Sequence, residues 1–355
     1  MGSVTPLIAI WQRLKIKDPN LEVLFVGTKK GPENAYVKNL GINYQALTAG
    51  KFRRYFSGWN IVDFFKVIFA FFHSIVILRK FKPDLILTAG SFICVPLTSA
   101  AKILGIPYLI HQQDIEVGLA NKMMARGAKA ITVTFEQNKK YFDQLKTILT
   151  SNPVRQEFFS ITKEQALQKF NLTPGLKTIL ILGGGTGAVK INELVLNSLA
   201  DLAKDFQVIH STGAGKDIAQ QIKVKYNPIA LEAINKNYRG AEFLDTAQAF
   251  NAADLVISRP GLATLTELAA LAKPTVLITP ANNAHQLKNA QYFAINNAAV
   301  VISEENLTPE SFYFSIRNLL NNAGDLNNLS NNIKKMIDPL AADKYADLVI
   351  SLLKK

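Results

Sequence analysis

The string Gly183-Gly184-Gly185-Thr186-Gly187-Ala188 carries the residue types that let backbone NH groups approach a phosphate. The apolar run Lys177–Leu182 precedes it, and the helical pattern Ile191–Leu199 follows, whose macrodipole adds attraction for an anion. The string also fits the dinucleotide pattern G-x-G-x-x-A. That reading expects an acidic residue at the end of the next strand to hold a ribose, and His210-Ser211-Thr212-Gly213 offers none. A Walker loop fails as well, because Gly215-Lys216 is followed by Asp217 and His210 stands where the first glycine should be. A nucleotide-phosphate cradle using Gly184, Gly185, Thr186 and Gly187 is the functional reading. A tight strand-to-helix turn is the structural one.

Three further strings have polar groups at ligand-binding spacings. Ser258-Arg259-Pro260-Gly261-Leu262-Ala263-Thr264-Leu265-Thr266-Glu267 is a second loop-to-helix junction. Glu267 is expected in the first helical turn, where its carboxylate could take both hydroxyls of a ribose; Thr264-x-x-Glu267 equally fits a capping box, and both readings stand. His111-Gln112-Gln113-Asp114 follows the apolar Tyr108–Ile110 and puts Asp114 in a loop at the expected interdomain edge, where a lone Asp is commonly a turn-former. His285-Gln286-x-x-Asn289 opens a helix with Gln286 and Asn289 on one face, suited to sugar hydroxyls or to solvent. No H-x₃-H, CxxC or clustered carboxylates suggest a protein-held metal. No bound cofactor is expected; a stimulatory role for free Mg²⁺ stays open.

The region from Lys51 to Lys82 differs in kind. Its run Phe64–Leu78 is too apolar for an ordinary surface helix, yet the uncharged stretch Val67–Leu78 falls short of the roughly 20 residues that span a bilayer. Such a helix can lie on a membrane through Phe65, Ile68, Phe69 and Phe72, or pack against a sheet. Lys51, Arg53 and Arg54 before it and Arg79, Lys80 and Lys82 after it would face anionic lipid, each contributing about 1 kcal/mol near such a surface.

Elements of a simple grammar must position these strings. Short β-rich runs, Leu21–Val26, Asp84–Thr88, Tyr108–Ile110 and Ala130–Thr134, alternate with helical patterns, as in parallel βαβ units. A polar break at Thr150–Arg155 is followed by the same grammar through Lys177–Leu182, Gln207–His210, Asp254–Ser258 and Thr275–Thr279. Two domains are therefore expected, 1–155 and 156–355, with the last helix able to pack back on the first. Strand C-termini that lead into Gly-, Pro-, Ser- or Asn-rich loops are where open α/β sheets bind ligands, so two such domains facing one another would leave a binding cleft. The opening Gly2-Ser3-Val4-Thr5-Pro6 runs into the helical Leu7–Leu14 and reads as a loop and helix without the strand before them.

Bulk properties agree with a globular α/β protein. The chain has 355 residues, 48% hydrophobic and 19% charged, enough for two cores and too apolar for disorder. A net charge of +13 points to nucleic acid, an anionic membrane face or a phosphorylated substrate. Cys94 alone cannot form an intramolecular disulfide, and nothing resembles a secretory signal, which favours a reducing cytoplasm. Met1-Gly2-Ser3 is not a myristoylation signal, since Pro6 stands where Ser or Thr is required.

Taken together, Gly2–Pro6, His111–Asp114 with Gly118–Lys122, Asn152–Arg155, Gly183–Gly187, Pro260–Glu267 and His285–Ala290 resemble the MurG family, in the right order and over almost the whole chain. The resemblance implies a GT-B fold of two Rossmann-like domains, the C-terminal one holding UDP-GlcNAc and the N-terminal one holding lipid I. It implies transfer of GlcNAc with inversion to give lipid II for peptidoglycan, at the cytoplasmic face of the membrane and with no nucleic acid partner. By position, Arg155, Gly185, Leu244 and the run Leu262 to Glu267 would hold the nucleotide, with Glu267 on the ribose and the Leu244 main chain on the uracil edge. Gln286 would meet the sugar, with Asn289 beside it on the helix. On the acceptor side the resemblance points to Gly2, Ser3, Gly90, Ser91, Phe92 and Asn121.

The departures fall on that acceptor side. The family's first Gly-rich loop survives only from Gly2, with Ser3 in place of its histidine. Gln112 replaces the usual Glu of the His-Glu-Gln-Asn string, and Asp114 replaces its Asn. Asp114 is thus the carboxylate left in that motif and the candidate base. A diacylglycerol glycosyltransferase of the same fold, a UDP-sugar epimerase and a non-catalytic UDP-sugar-binding protein are the competing readings.

Overall fold

The computed structural model describes residues 2–48, 59–184, 188–281 and 283–353, without side-chain detail for 59–64. The chain divides into two compact units, one made of 1–155 with 339–355 and the other of 156–338.

The first unit contains two parallel sheets. β1 (Leu24–Gly27) pairs with β2 (Asn43–Ala46), and β3 (Ile86–Thr88), β4 (Tyr108–Gln112), β5 (Ala130–Val133) and β6 (Thr147–Leu149) form a four-stranded sheet in that order. Every residue of β4 and β5 is buried, as expected for parallel strands covered on both faces. The helix Thr5–Lys17, with proline at its start, packs on Ala341–Leu353; Ile10 and Leu14 meet Tyr345, Ala346 and Val349. Salt bridges Arg13–Asp343 (3.3 Å) and Lys17–Asp347 (2.6 Å) lie along the same contact.

The second unit is a six-stranded parallel sheet in the order β12-β11-β10-β7-β8-β9, with β7 at Thr178–Leu182, β8 at Gln207–Ser211 and β9 at Tyr238–Ala241. β10 spans Leu255–Ser258, β11 Thr275–Thr279 and β12 Val300–Ser303. The order runs outward one way from β7 and the other way from β10, so the topological switch point lies between these two central strands. The helix Val189–Asp205 covers the sheet with Ile191, Val195, Leu199 and Leu202, all fully buried.

Each unit holds one buried histidine at the C-terminal end of a strand. His111 Nε2 donates to Asn152 Oδ1 at 2.9 Å and Nδ1 accepts from the Thr132 hydroxyl at 2.8 Å. His210 Nε2 donates to Asn192 Oδ1 at 3.2 Å and Nδ1 accepts from Tyr238 at 3.0 Å. Burial pushes both imidazoles down to about 4, so both are neutral at pH 7. The unfolded chain, with ordinary histidines near 6.5, takes up protons first as the pH falls. Stability is therefore expected to be full above about pH 6.5 and to fall toward pH 4, each histidine adding a slope of up to about 1.4 kcal/mol per pH unit. Urea unfolding midpoints at pH 7.5, 6.5 and 5.5 measure this, and His111→Gln should flatten the dependence. A midpoint independent of pH over that range would contradict neutral burial.

Candidate functional site

In the second unit, two glycine-bearing loops flank the switch point. The loop after β7 carries Gly184 in the left-handed region, φ +83°, which glycine adopts without strain. Gly185, Thr186 and Gly187 lie outside the described residues. The helix Val189–Asp205 that follows has Ala188 at its N-cap and no side-chain cap. The helix Leu262–Ala270 after β10 likewise starts from Gly261 with no capping side chain. Its first NH groups, on Leu262, Ala263 and Thr264, have no acceptor within the helix. Neighbouring helices differ, since Asp245 caps Thr246–Ala252 and Asn283 caps Ala284–Ile295. Two uncapped helix starts at adjacent strand ends form a candidate anion site, with the polarity that favours a diphosphate.

The structure corrects the expected position of Glu267. The helix begins at Leu262, directly after Pro260-Gly261, so Glu267 is its sixth residue and stands in the second turn. Thr264 is inside the helix and not at its N-cap, which removes the capping-box reading. Glu267 is 7% exposed. Leu262, Leu265 and Thr266 are also buried, and the Thr266 hydroxyl donates back to the Leu262 carbonyl at 3.0 Å. What this run offers a ligand is therefore mainly backbone, with Ala263 and Thr264 half-buried.

Further side chains fix the β10 loop. Arg259 donates to the Ile278 carbonyl at the end of β11 (3.1 Å) and pairs with Glu304 just after β12. Asn289 is also revised: it is buried, and its Nδ2 donates to the Pro260 carbonyl at 3.3 Å, so it clamps the loop and does not present a free face beside Gln286. Gln286 is half-buried, its backbone NH held by Asn283 at 3.1 Å. Leu244 is half-buried in the loop between β9 and the Thr246–Ala252 helix. On the β7 side Asn192 Nδ2 donates to the Thr212 carbonyl at 3.0 Å, so the His210 network ties the helix start to the loop after β8. Arg259, Glu304 and Asn192 go unnoticed in the sequence because their partners are remote.

In the first unit the acceptor-side residues converge in part. Gln113 donates to the Ala89 carbonyl at 3.0 Å, joining the loops after β3 and β4. Gly90, φ +88°, turns so close to Asn121 that an added Cβ would lie 3.2 Å from its Oδ1. Ser91 holds φ +102°, a conformation costing a non-glycine residue about 1–3 kcal/mol, and is exposed. Phe92 is half-buried beside it. Asn121 is buried, its Nδ2 donating to Gln112 Oε1 at 2.7 Å, so it braces the motif. Gln112 and Asn138 hold the Asp114 carbonyl at 2.8 and 3.3 Å, leaving the half-buried Asp114 carboxylate on a fixed main chain. Gly2 and Ser3 form a turn ahead of Thr5–Lys17. Arg155 belongs to this unit and donates to the Tyr36 hydroxyl at 2.9 Å.

The helix Trp59–Phe81 presents a stripe to the outside: Phe65, Ile68, Phe69, Phe72 and Val76 are exposed at spacings of three and four, Phe69 by 73% and Phe72 by 60%. Ala70, Ser74, Ile77 and Leu78 are buried on the other side. Lys66, Arg79, Lys80 and Lys82 are exposed on or just beyond the helix, whereas Lys51, Arg53 and Arg54 lie outside the described residues. Among the described residues no helix is long and apolar enough to cross a membrane, and no cluster of metal-ligating side chains occurs.

Comparisons with known proteins place the chain in a family and a fold. Residues 1–133 match the glycosyltransferase family 28 N-terminal domain and 178–345 its C-terminal domain. The chain is 35% identical over 356 residues to the UDP-N-acetylglucosamine–N-acetylmuramyl-(pentapeptide) pyrophosphoryl-undecaprenol N-acetylglucosamine transferase of Listeria monocytogenes, covering 99% of this chain and 97% of that one. It is 36% identical to the protein of that name from Clostridium botulinum, over 95% and 92%. Among solved structures, Acinetobacter baumannii MurG superposes with a TM-score of 0.72 at 24% identity, over 99% and 96% of the two chains. The calicheamicin glycosyltransferase CalG4 does so with 0.70 at 12%, over 100% and 96%, and the fold is GT-B. The chain belongs to the MurG family of family 28 glycosyltransferases.

Proposed function

We propose that this chain transfers N-acetylglucosamine from UDP-GlcNAc to lipid I, undecaprenyl-pyrophosphoryl-MurNAc-peptide, giving lipid II for peptidoglycan synthesis with inversion at the sugar. The observation that carries the donor half is the pair of uncapped helix starts beside the switch point of the second unit. The activity named for relatives matched over nearly the full chain supplies the acceptor.

In this reading the NH groups of Leu262, Ala263 and Thr264 and the loop from Gly184 to Gly187 bind the diphosphate. They stabilise the negative charge that grows as the C1–O bond to UDP breaks. Glu267 accepts the ribose hydroxyls, the Leu244 main chain meets the uracil edge, and Gln286 meets the sugar. An acceptor hydroxyl attacks C1 from the opposite side and Asp114 takes its proton, with the Gly90-Ser91 loop at the acceptor pyrophosphate. The Phe65, Ile68, Phe69 and Phe72 stripe rests on the cytoplasmic face of an anionic membrane, where the lipid acceptor resides. Incubation with UDP-GlcNAc and either lipid I or diacylglycerol tests the assignment. Turnover with lipid I supports it, and turnover with diacylglycerol alone would replace it.

Glu267→Ala should weaken UDP-GlcNAc binding by about 1–3 kcal/mol, from about fivefold to 150-fold in Kd, the range for unmade charged hydrogen bonds. Titration calorimetry measures this, and an unchanged Kd in a folded variant would remove Glu267 from the donor site. Phe69→Glu with Phe72→Glu should lower binding to anionic vesicles at least tenfold, since a fully buried Phe contributes about 1.5–3 kcal/mol. Salt should weaken binding of the unaltered protein through screening. Both side chains being exposed, the variant should fold normally, and co-sedimentation at full strength would show that this stripe does not dock.

A further inference from the structure

With lipid I as the acceptor, an anionic pyrophosphate at the Gly90-Ser91 loop of the first unit needs countercharge, and the loops on either side of it supply none. Residues 89–93 after β3 and 113–118 after β4 contain no Lys or Arg, and the second loop brings two carboxylates, Asp114 and Glu116. His111, just ahead of that loop, is buried and neutral.

Two cations stand one loop away. Lys29 and Lys30 follow the C-terminal end of β1, adjacent and exposed, and neither forms an ion pair among the described residues. Glu33, the acid closest to them in sequence, is held by Thr28, whose NH (2.9 Å) and hydroxyl both donate to its carboxylate. Their main chain is fixed, since Asn34 Nδ2 donates to the Lys29 carbonyl at 3.0 Å and the Tyr44 hydroxyl to the Thr28 carbonyl at 2.6 Å. The loops after β1 and β3 meet on one side of the unit: Leu47, whose NH donates to the Gly27 carbonyl at 2.8 Å, shares an apolar cluster with Ile93. Two neighbouring ammonium groups repel each other, and a shared anion relieves that repulsion.

We propose that Lys29 and Lys30 bind the pyrophosphate of the acceptor and so position its hydroxyl for attack, an assignment that rests on the lipid I reading above. An ammonium group acts on phosphate as a point charge, so the two lysines need no more than reach and a fixed loop beneath them. The acceptor's peptide carries carboxylates of the same sign. Position favours the pyrophosphate: β3 ends its sheet on the side toward β1, so the Gly90-Ser91 loop stands between the lysines and Asp114, where the hydroxyl reacts.

Turnover of lipid I by the full chain in neutral detergent micelles tests this, with any attraction of the lysines to a membrane removed. Lys29→Gln with Lys30→Gln should raise the KM for lipid I about tenfold or more, the range for charged hydrogen bonds, with kcat within about twofold and the Kd for UDP-GlcNAc unchanged. Lys29→Arg with Lys30→Arg should keep the unaltered KM, because Arg also binds phosphate. An acceptor stripped of its peptide should show the same rise in the Gln variant. A rise confined to the peptide-bearing acceptor would give the lysines to the peptide and overturn the proposal. An unchanged KM, while the unaltered protein turns over lipid I, would overturn it and leave the lipid I reading standing. Should the unaltered protein fail to turn over lipid I, that reading falls, and calorimetry with farnesyl pyrophosphate under saturating UDP decides for the lysines. A Kd about tenfold weaker in the Gln variant supports them there, and an equal Kd overturns the proposal.

Discussion

A helix that begins without a side-chain oxygen hands its first NH groups to whatever acceptor lies in front of it, and the second unit does this twice at neighbouring strand ends. Ala188 and Gly261 stand where Asp245, Asn227 and Asn283 stand on other helices of the same unit. The difference is chemical and local: a methyl group or a hydrogen in place of an acceptor. The polar residues of the surrounding loops fix the direction of that backbone.

The fixing is done by remote pairs. Arg259 binds the end of β11 and Glu304, Asn289 binds the Pro260 carbonyl, and Asn192 joins the Val189–Asp205 helix to His210 and the Thr212 carbonyl. Each pair crosses between different βα units, and Arg259–Glu304 reaches past β11 from the end of β10 to the end of β12, so the loops keep their positions although they contain few apolar side chains of their own. The first unit uses the same device, with Gln113 on the Ala89 carbonyl and Asn121 on Gln112. Glycine at position 90 adopts the left-handed turn, φ +88°, without strain, and a side chain there would push on Asn121 Oδ1 from 3.2 Å.

The central strands are legible in the sequence because burial on both faces makes them continuous apolar runs, as in Thr178–Leu182 and Thr275–Thr279. The sheet-edge strands Asn43–Ala46 and Tyr238–Ala241 are not, since half-exposed positions admit Asn, Gln, Arg and Gly and erase the signal. The glycine strings are readable because they are contiguous. Arg259 and Glu304 are 45 residues apart and leave no local trace. The misplacement of Glu267 by a turn follows from reading the helix start at Thr264; Pro260-Gly261 was the stronger punctuation.

The helix Ala341–Leu353 belongs to the unit that contains residue 2, although the whole of the second unit lies between them in the chain. During synthesis the second unit is a single uninterrupted stretch, able to close on itself as soon as it emerges. The first must wait: Ile10, Leu14 and the His111 ring keep an open side until Tyr345 and Val349 arrive. The order of emergence from the ribosome thus reverses the order of completion, and the half made first is finished last.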